Sequence, residues 1–368
     1  MRVLITGSGG FVGKNLSLAL RERQGHEVIP FGREHESASL AARLAASDAV
    51  VHLAGVNRPQ DPVEFETINA GFTRTLCDAI ERAGRPIALL VASSIQAERD
   101  NPYGRSKRAA EQAAEALATR TGCSVVIYRL PGVFGKWCRP NYNSVVATFC
   151  HNIARDLPIR VDEPDAQLRL VHVDDVVAEF IATLAAPVAG LRRGLVAPEY
   201  RTTLGELSRQ IQAFRDCRET LVIERVGAGL VRALYSTYVS YLPVDRFAYG
   251  LESHPDPRGT FVEMLKTVDS GQFSYFTAHP GVTRGGHYHH SKTEKFLVIK
   301  GTARFRFRHV LTGERHEVNV TGDPPMMVET IPGWTHDITN TGTEELVVML
   351  WANEVFDRER PDTIASPV

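Results

Sequence analysis

Charge imbalance is missing from this sequence: 42 Lys and Arg face 43 Asp and Glu over 368 residues, a formal net charge of -1. No basic run occurs either. That excludes proteins that grip nucleic acid or a membrane surface through charge, and it points to a small-molecule partner. Cysteine is scarce. Cys77, Cys123, Cys138, Cys150 and Cys217 form no CxxC pair, which suits reduced thiols in a cytosol and offers no thiolate metal site. No apolar run approaches a membrane span, and MRVLITG already reads as a strand entering a glycine loop, with no room for a signal peptide. A cytoplasmic protein is expected. Internal repeats and low-complexity tracts are absent as well.

What is present divides in two. Up to about residue 220, short β-branched runs (VLIT, EVIPF, AVVHLAG, IALLVASS, SVVIYRL) alternate with Ala- and Leu-rich helical patterns. Continuous apolar strands of this kind belong to parallel sheets covered on both faces, so residues 1–242 are predicted to form a Rossmann-type doubly wound α/β domain. From residue 243 the texture changes. FSYFTAH, EKFLVIKG, ARFRFRHV and LVVMLWAN are strand patterns separated by turn residues, so 243–368 is predicted to be an all-β barrel or sandwich.

Two constellations carry chemistry. After the first strand come Gly7, Ser8, Gly9, Gly10, Phe11, Val12 and Gly13, opening a helix at Asn15. Gly7 suits a tight turn, Gly10 lets backbone approach a pyrophosphate, Gly13 allows close helix packing, and the helix N-terminus supplies N–H donors. A dinucleotide's 2′-position is read about twenty residues on; Arg33 there favours NADPH, although Glu34 stands beside it. Further along, Tyr103 and Lys107 lie four apart on a helical pattern and share one face. Ketone reduction needs a proton for the developing alkoxide. A tyrosine supplies it when a nearby ammonium lowers its pKa, and Ser94, at the end of the preceding strand, would hold the carbonyl oxygen.

The first 180 or so residues resemble the extended short-chain dehydrogenases that act on nucleotide sugars, through TGSGGFVG, HLAG at His52 to Gly55, Asn69, Ser94, the Tyr103/Lys107 pair and VHVDDVV. The resemblance adds Leu53, Ala54 and Gly55 to the cofactor contacts and gives Lys107 the nicotinamide ribose. RLPGVFGKW (129–137) resembles the segment that contacts the nucleotide sugar, with Gly132 where many relatives carry Asn.

In the second half, GVTRGGHYHHSKTEKFLVIKG places His287 and His289 on one strand face with Glu294 beyond, and PGWTHDITN supplies His336. Three imidazoles and a carboxylate suit a divalent ion such as Zn, Ni, Mn or Fe, zinc being preferred. The spacing resembles the two signature motifs of the cupin jelly-roll, the second one residue tighter at Pro332–Gly333. DPRGTF (256–261) and GVTRGGH (281–287) further resemble sugar-nucleotide 3,5-epimerases, where a histidine in the position of His287 is the base and Arg258 or a metal would stabilise the enolate. His287 cannot be ligand and free base at once; His290 or a metal-bound water is the alternative base.

Over nearly its whole length the chain resembles the bifunctional capsule and O-antigen enzymes of the CapF/WbjC type, through GVNRP, SSIQA, DNPYG, FGKW, PNYNSV, TTLGEL, LYSTYVSYLP and TEKFLV. That implies C3 epimerisation of a UDP-4-keto-6-deoxy-N-acetylhexosamine by the cupin, then NADPH reduction at C4 to a UDP-N-acetyl-6-deoxytalosamine, on the way to N-acetyl-L-fucosamine, by a homodimer. One alternative is a single-activity reductase whose barrel is a structural or dimerisation module. The other is a sensor that binds NADP without turnover, against which the Ser94, Tyr103 and Lys107 set argues.

Overall fold

Short β-branched runs form the parallel sheet that the sequence predicts: β1 (Arg2–Thr6), β2 (Glu27–Phe31), β3 (Ala49–His52), β4 (Ala88–Ser94), β5 (Ser124–Leu130) and β6 (Gly190–Gly194). Their order is β2-β1-β3-β4-β5-β6, all pairs parallel. In this computed structural model residues 1–252, 254–256, 259–261, 265–267, 271–354 and 359–368 are described. Successive strand residues point to opposite faces, and both faces are apolar. Val3, Ile5, Val51 and Leu90 meet helix α1 (Phe11–Arg21) and the helix Val173–Ala185. Leu4, Val50, Leu89 and Val91 meet α2 (Leu40–Ala45), α3 (Phe72–Arg82) and α4 (Pro102–Thr121).

The chain forms two compact units. The sheet and its helices lie in Met1–Phe134, Tyr142–Ser144 and Leu168–Arg201; the second unit comprises Gly135–Asn141, Val145–Gln167 and Thr202–Val368. Within the second unit the helices Val145–Ile153, Leu204–Thr220 and Gly229–Val239 pack on one another, Phe214 meeting Tyr235 with ring centroids 5.1 Å apart. The strands of its two larger sheets are β7 (Ala248–Gly250), β8 (Gln272–Ala278), β9 (Thr283–Tyr288), β10 (Glu294–Lys300), β11 (Thr302–His309), β12 (Arg315–Thr321), β13 (Met326–Glu329), β14 (Trp334–Asn340), β15 (Leu346–Ala352) and β16 (Ile364–Ala365). Two five-stranded antiparallel sheets result, β7-β13-β10-β15-β8 and β12-β11-β14-β9-β16. Phe296 from one sheet meets Phe305 from the other at 5.6 Å, in a buried interior typical of a cupin-like sandwich. Among the described residues no helix is long and apolar enough to cross a membrane.

Candidate functional site

The glycine loop is built by close backbone approach. Gly7 has φ +70° and donates its N–H to the Phe31 carbonyl at 2.7 Å, while Gly10 closes the turn onto the Gly7 carbonyl at 2.9 Å. A Cβ on Gly13 would stand 2.3 Å from the Gly7 carbonyl oxygen, so only glycine lets α1 start there. Gly10 caps α1 without a side chain, which leaves the N–H groups of the first turn, at Phe11 and Val12, for an anion. Arg33 lies exposed in the turn after β2, where His35 Nδ1 accepts the Gly32 N–H at 3.0 Å. Leu53, Ala54 and Gly55 follow β3 next to this loop, the Ala54 nitrogen 2.8 Å from a Cβ built on Gly7. A buried chain of polar bonds from Thr6 through His52 to Thr73 (2.7 and 2.8 Å) holds that segment in place.

Helix α4 presents the pair. Asn101 caps it by accepting the Gly104 N–H at 2.8 Å, Pro102 opens it, Tyr103 stands in the first turn and Lys107 one turn later. The Lys107 ammonium donates to the Ala92 carbonyl at 3.2 Å and lies 3.4 Å from the Cβ position of Gly55, so the structure brings the predicted reductase residues to one place. Asn69 supports this side, accepting the Val56 N–H at 2.8 Å and donating to Ser106 at 3.1 Å. Burial depresses the Lys107 pKa to about 8, against which the Glu111 charge works. The direction expected for Tyr103 is not the one found. Burial raises the phenol, with only the Ser94 hydroxyl counteracting it, and the ammonium stands 6.0 Å from the ring centroid. Burial takes the larger share because a desolvated phenolate loses more than a distant cation returns.

Glu111 escaped the sequence reading. It is 1% exposed and collects Ser93 at 2.5 Å, Arg129 at 2.7 and 2.9 Å and Arg193 at 3.1 Å, tying α4 to β4, β5 and β6. Its only trace in the sequence is its place four residues after Lys107. Gly132, in the segment expected to meet the sugar, is exposed, with a Cβ built there 3.1 Å from Leu170 on its inner side.

In the second unit a bulge assembles the histidines. Gly285 and Gly286 take φ +100° and +76°, the register shifts between Gly285 and His287, and His287 comes to lie opposite His336 with ring centroids 4.7 Å apart. His289 follows on the same face, 5.1 Å from the His287 ring. Glu294, at the start of β10 in the other sheet, completes the group: the ligand atoms of His287, His289, Glu294 and His336 all lie within 4.8 Å of one another. His290 instead packs with Tyr288, 5.6 Å between rings, on the other side. Arg258 lies outside the described residues.

The polar atoms of the cluster face one another at short range. His289 Nδ1 contacts the main-chain carbonyl of Asp362, which can only accept, so its Nε2 lone pair faces the Glu294 carboxylate at 3.1 Å. Neither ring nitrogen of buried His336 makes a well-formed hydrogen bond among the described residues, its Nε2 standing 3.5 Å from Glu294 Oε2. Burial and its imidazole neighbours lower His287 to about 4. Burial would raise Glu294, but His289 and His336 outweigh it and hold its carboxyl well below the usual range. Three imidazoles and a carboxylate converging on one point fit a divalent cation.

Comparison with known proteins agrees in both halves. Residues 3–196 match the NAD dependent epimerase/dehydratase family, and 254–364 match the polysaccharide biosynthesis C-terminal domain. Over 368 residues the chain is 58% identical to the UDP-2-acetamido-2,6-beta-L-arabino-hexul-4-ose reductase of Pseudomonas aeruginosa, covering 100% of this chain and 99% of that protein. The chain is a CapF-type member of the NAD dependent epimerase/dehydratase family. The crystal structure of the capsular polysaccharide assembling protein CapF from Staphylococcus aureus matches this family member over 100% of both chains, with 42% identity and a TM-score of 0.69. RMD from Pseudomonas aeruginosa, solved with NADPH, matches 59% of the CapF-type chain and 85% of its own, with 25% identity and a TM-score of 0.51.

Proposed function

We propose that the chain is a bifunctional UDP-sugar enzyme: residues 243–368 epimerise C3 of a UDP-4-keto-6-deoxy-N-acetylhexosamine, and residues 1–242 reduce its C4 ketone with NADPH. The convergence of the glycine loop, Lys107 and Tyr103 in one unit carries the reductase reading. A bound nicotinamide would supply hydride to C4, and the Tyr103 phenol gives its proton to O4. A pKa above the ordinary tyrosine value keeps that proton in place at neutral pH. Lys107 holds the ribose, and Ser94 orients the carbonyl.

Arg33 supports NADPH over NADH, since its exposed guanidinium pairs with no described residue and is open to a 2′-phosphate. Losing charge-assisted bonds worth about 1.5–3 kcal/mol, Arg33→Ala should bind NADPH about 10–100-fold more weakly and NADH unchanged. Equal loss for both would move the 2′-phosphate contact elsewhere.

His287, His289, Glu294 and His336 would hold a divalent ion, zinc for preference, which supplies Lewis acidity to an enolate when bound. The C3 proton leaves to a base and returns on the other face, giving a UDP-N-acetyl-6-deoxytalosamine after reduction. Scattered, unpaired cysteines support a cytoplasmic setting for the enzyme, and its sequence resemblance supports a homodimer.

Incubation of the keto sugar with NADPH in deuterium oxide tests both steps at once. One NADPH should be consumed per sugar, with deuterium at C3 of the product. Tyr103→Phe should cut NADPH oxidation by about 10²–10⁴-fold yet still exchange C3. His336→Ala should lose the exchange. Reduction by the unaltered enzyme without deuterium at C3 would leave the barrel a structural module.

A further inference from the structure

The chain's last residues close around the histidine cluster from outside. β16 pairs with β9, Ala365 opposite His287 and Ile364 opposite Tyr288, and the Ser366 N–H donates to the Gly286 carbonyl at 2.8 Å. Just before β16 stands Asp362. Its carboxylate accepts the N–H groups of His290 (2.8 Å), Ser291 (2.7 Å) and Lys292 (2.7 Å), and the Ser291 hydroxyl at 3.2 Å. Those three residues belong to the loop joining His289 to Glu294. Asp362 also offers its main-chain carbonyl to His289 Nδ1.

One residue therefore sets two things. A carbonyl accepts only from a protonated nitrogen, so Asp362 fixes the His289 tautomer with Nδ1–H outward and the Nε2 lone pair toward the cluster. Three converging N–H groups on one carboxylate hold the loop's curvature, and with it the spacing between His289 and Glu294 on different sheets. Lys292, at the end of that loop, places its ammonium 3.3 Å from Glu294 Oε1, which leaves Oε2 facing the imidazoles. Hydrogen-bonding partners outside a ligand shell orient the ligands and tune affinity in this manner.

We propose that Asp362 is a positioning residue for the barrel's metal centre, orienting His289 and setting its distance to Glu294 from the C-terminal tail. This rests on the reading of His287, His289, Glu294 and His336 as metal ligands.

The test uses the full-length protein and zinc ion alone. Zinc affinity is measured by competition with a chromophoric chelator, and the cobalt-loaded protein is followed by its visible spectrum. Asp362→Ala keeps the main-chain carbonyl on His289 but removes the carboxylate that seats the loop, so it should bind zinc about 10–100-fold more weakly than the unaltered chain and show a changed cobalt spectrum, the loss typical of disturbing an outer shell. Arg308→Ala serves as the second variant. Arg308 ties down the tail's far end through Ser366 (3.0 Å) and the Pro367 carbonyl (2.7 Å) without touching Asp362, so it should keep zinc affinity within about threefold and the cobalt spectrum unchanged. Equal affinity in Asp362→Ala and the unaltered chain overturns the positioning role while leaving the metal reading intact. Equal losses in both variants also overturn it, because general loosening of the tail would then explain the effect. Failure of the unaltered protein to bind zinc or cobalt overturns the metal reading and this role with it.

Discussion

Lys107 shows how one residue's surroundings set a working pH. Its ammonium is buried beside the Ala92 carbonyl, and burial brings its pKa down to about 8 although the Glu111 charge opposes this. Tyr103, raised by burial, keeps its proton well above neutrality. The first ionisation lost on raising the pH is therefore the ammonium, and with it the charge proposed to hold the ribose. For the reductase step, kcat/KM should be flat near neutrality and fall as pH passes about 8, since this ratio reports free-enzyme ionisations. A pH–rate profile of NADPH oxidation checks it; constant kcat/KM to pH 9.5 would mean that the charge is not required. That Tyr103 and Lys107 lie one turn apart on a helix was legible from their spacing, read together with Ser94 and the glycine loop before them. The sign of the phenol's shift was not, because burial depends on which residues arrive from elsewhere in the chain.

At the scale of an element, the strand–loop–helix at the N-terminus and the bulged strand β9 solve related problems. Each uses glycine where side chains cannot go. In the loop the requirement is steric: the Cβ of Ala at position 13 would lie 2.3 Å from the Gly7 carbonyl and 2.8 Å from Ser8 Cα, whereas at Gly9 nothing lies within 4 Å. Gly13→Ala should lower stability by about 1–3 kcal/mol in urea denaturation and weaken NADPH binding, while Gly9→Ala should change stability by less than about 0.5 kcal/mol. Equal effects would mean that the loop is not packed against α1 as described. In β9 the two glycines shift the register by one residue, and that shift puts His287 across from His336. The sequence pattern located both imidazoles. It could not show the bulge, which exists only against the partner strand.

At the scale of the molecule, a second buried charge cluster stands apart from both sites. Lys295 and Glu329, 2% and 3% exposed, form an ion pair, Arg218 reaches the same carboxylate at 2.9 Å, and Lys295 donates to the Tyr249 hydroxyl at 3.1 Å. Burial alone would raise Glu329, but the two cations hold its carboxyl below the ordinary value. This cluster fastens the helix Leu204–Thr220 to the strands β10 and β13. Removing the carboxylate leaves two buried cations facing each other. Glu329→Ala should thus cost about 3–5 kcal/mol of unfolding free energy in urea denaturation. A loss under about 1 kcal/mol would show that the cations are solvated or that they repel less than their burial implies.

Local information was enough to determine much of this protein. Strand periodicity, the turn chemistry of TGSGGFVG, the four-residue interval from Tyr103 to Lys107 and the alternation of His287 with His289 all act within one or two turns of chain, so they can be read from neighbouring letters. What the tertiary structure decided depends on residues far apart in sequence. It brought Glu111 to three strands, joined the helices of 204–239 and the barrel in one compact unit, set Glu294 across from the histidines, and folded Asp362 back onto a loop seventy residues earlier. Desolvation and charge–charge energies depend on those distances in space, and a linear sequence does not contain them.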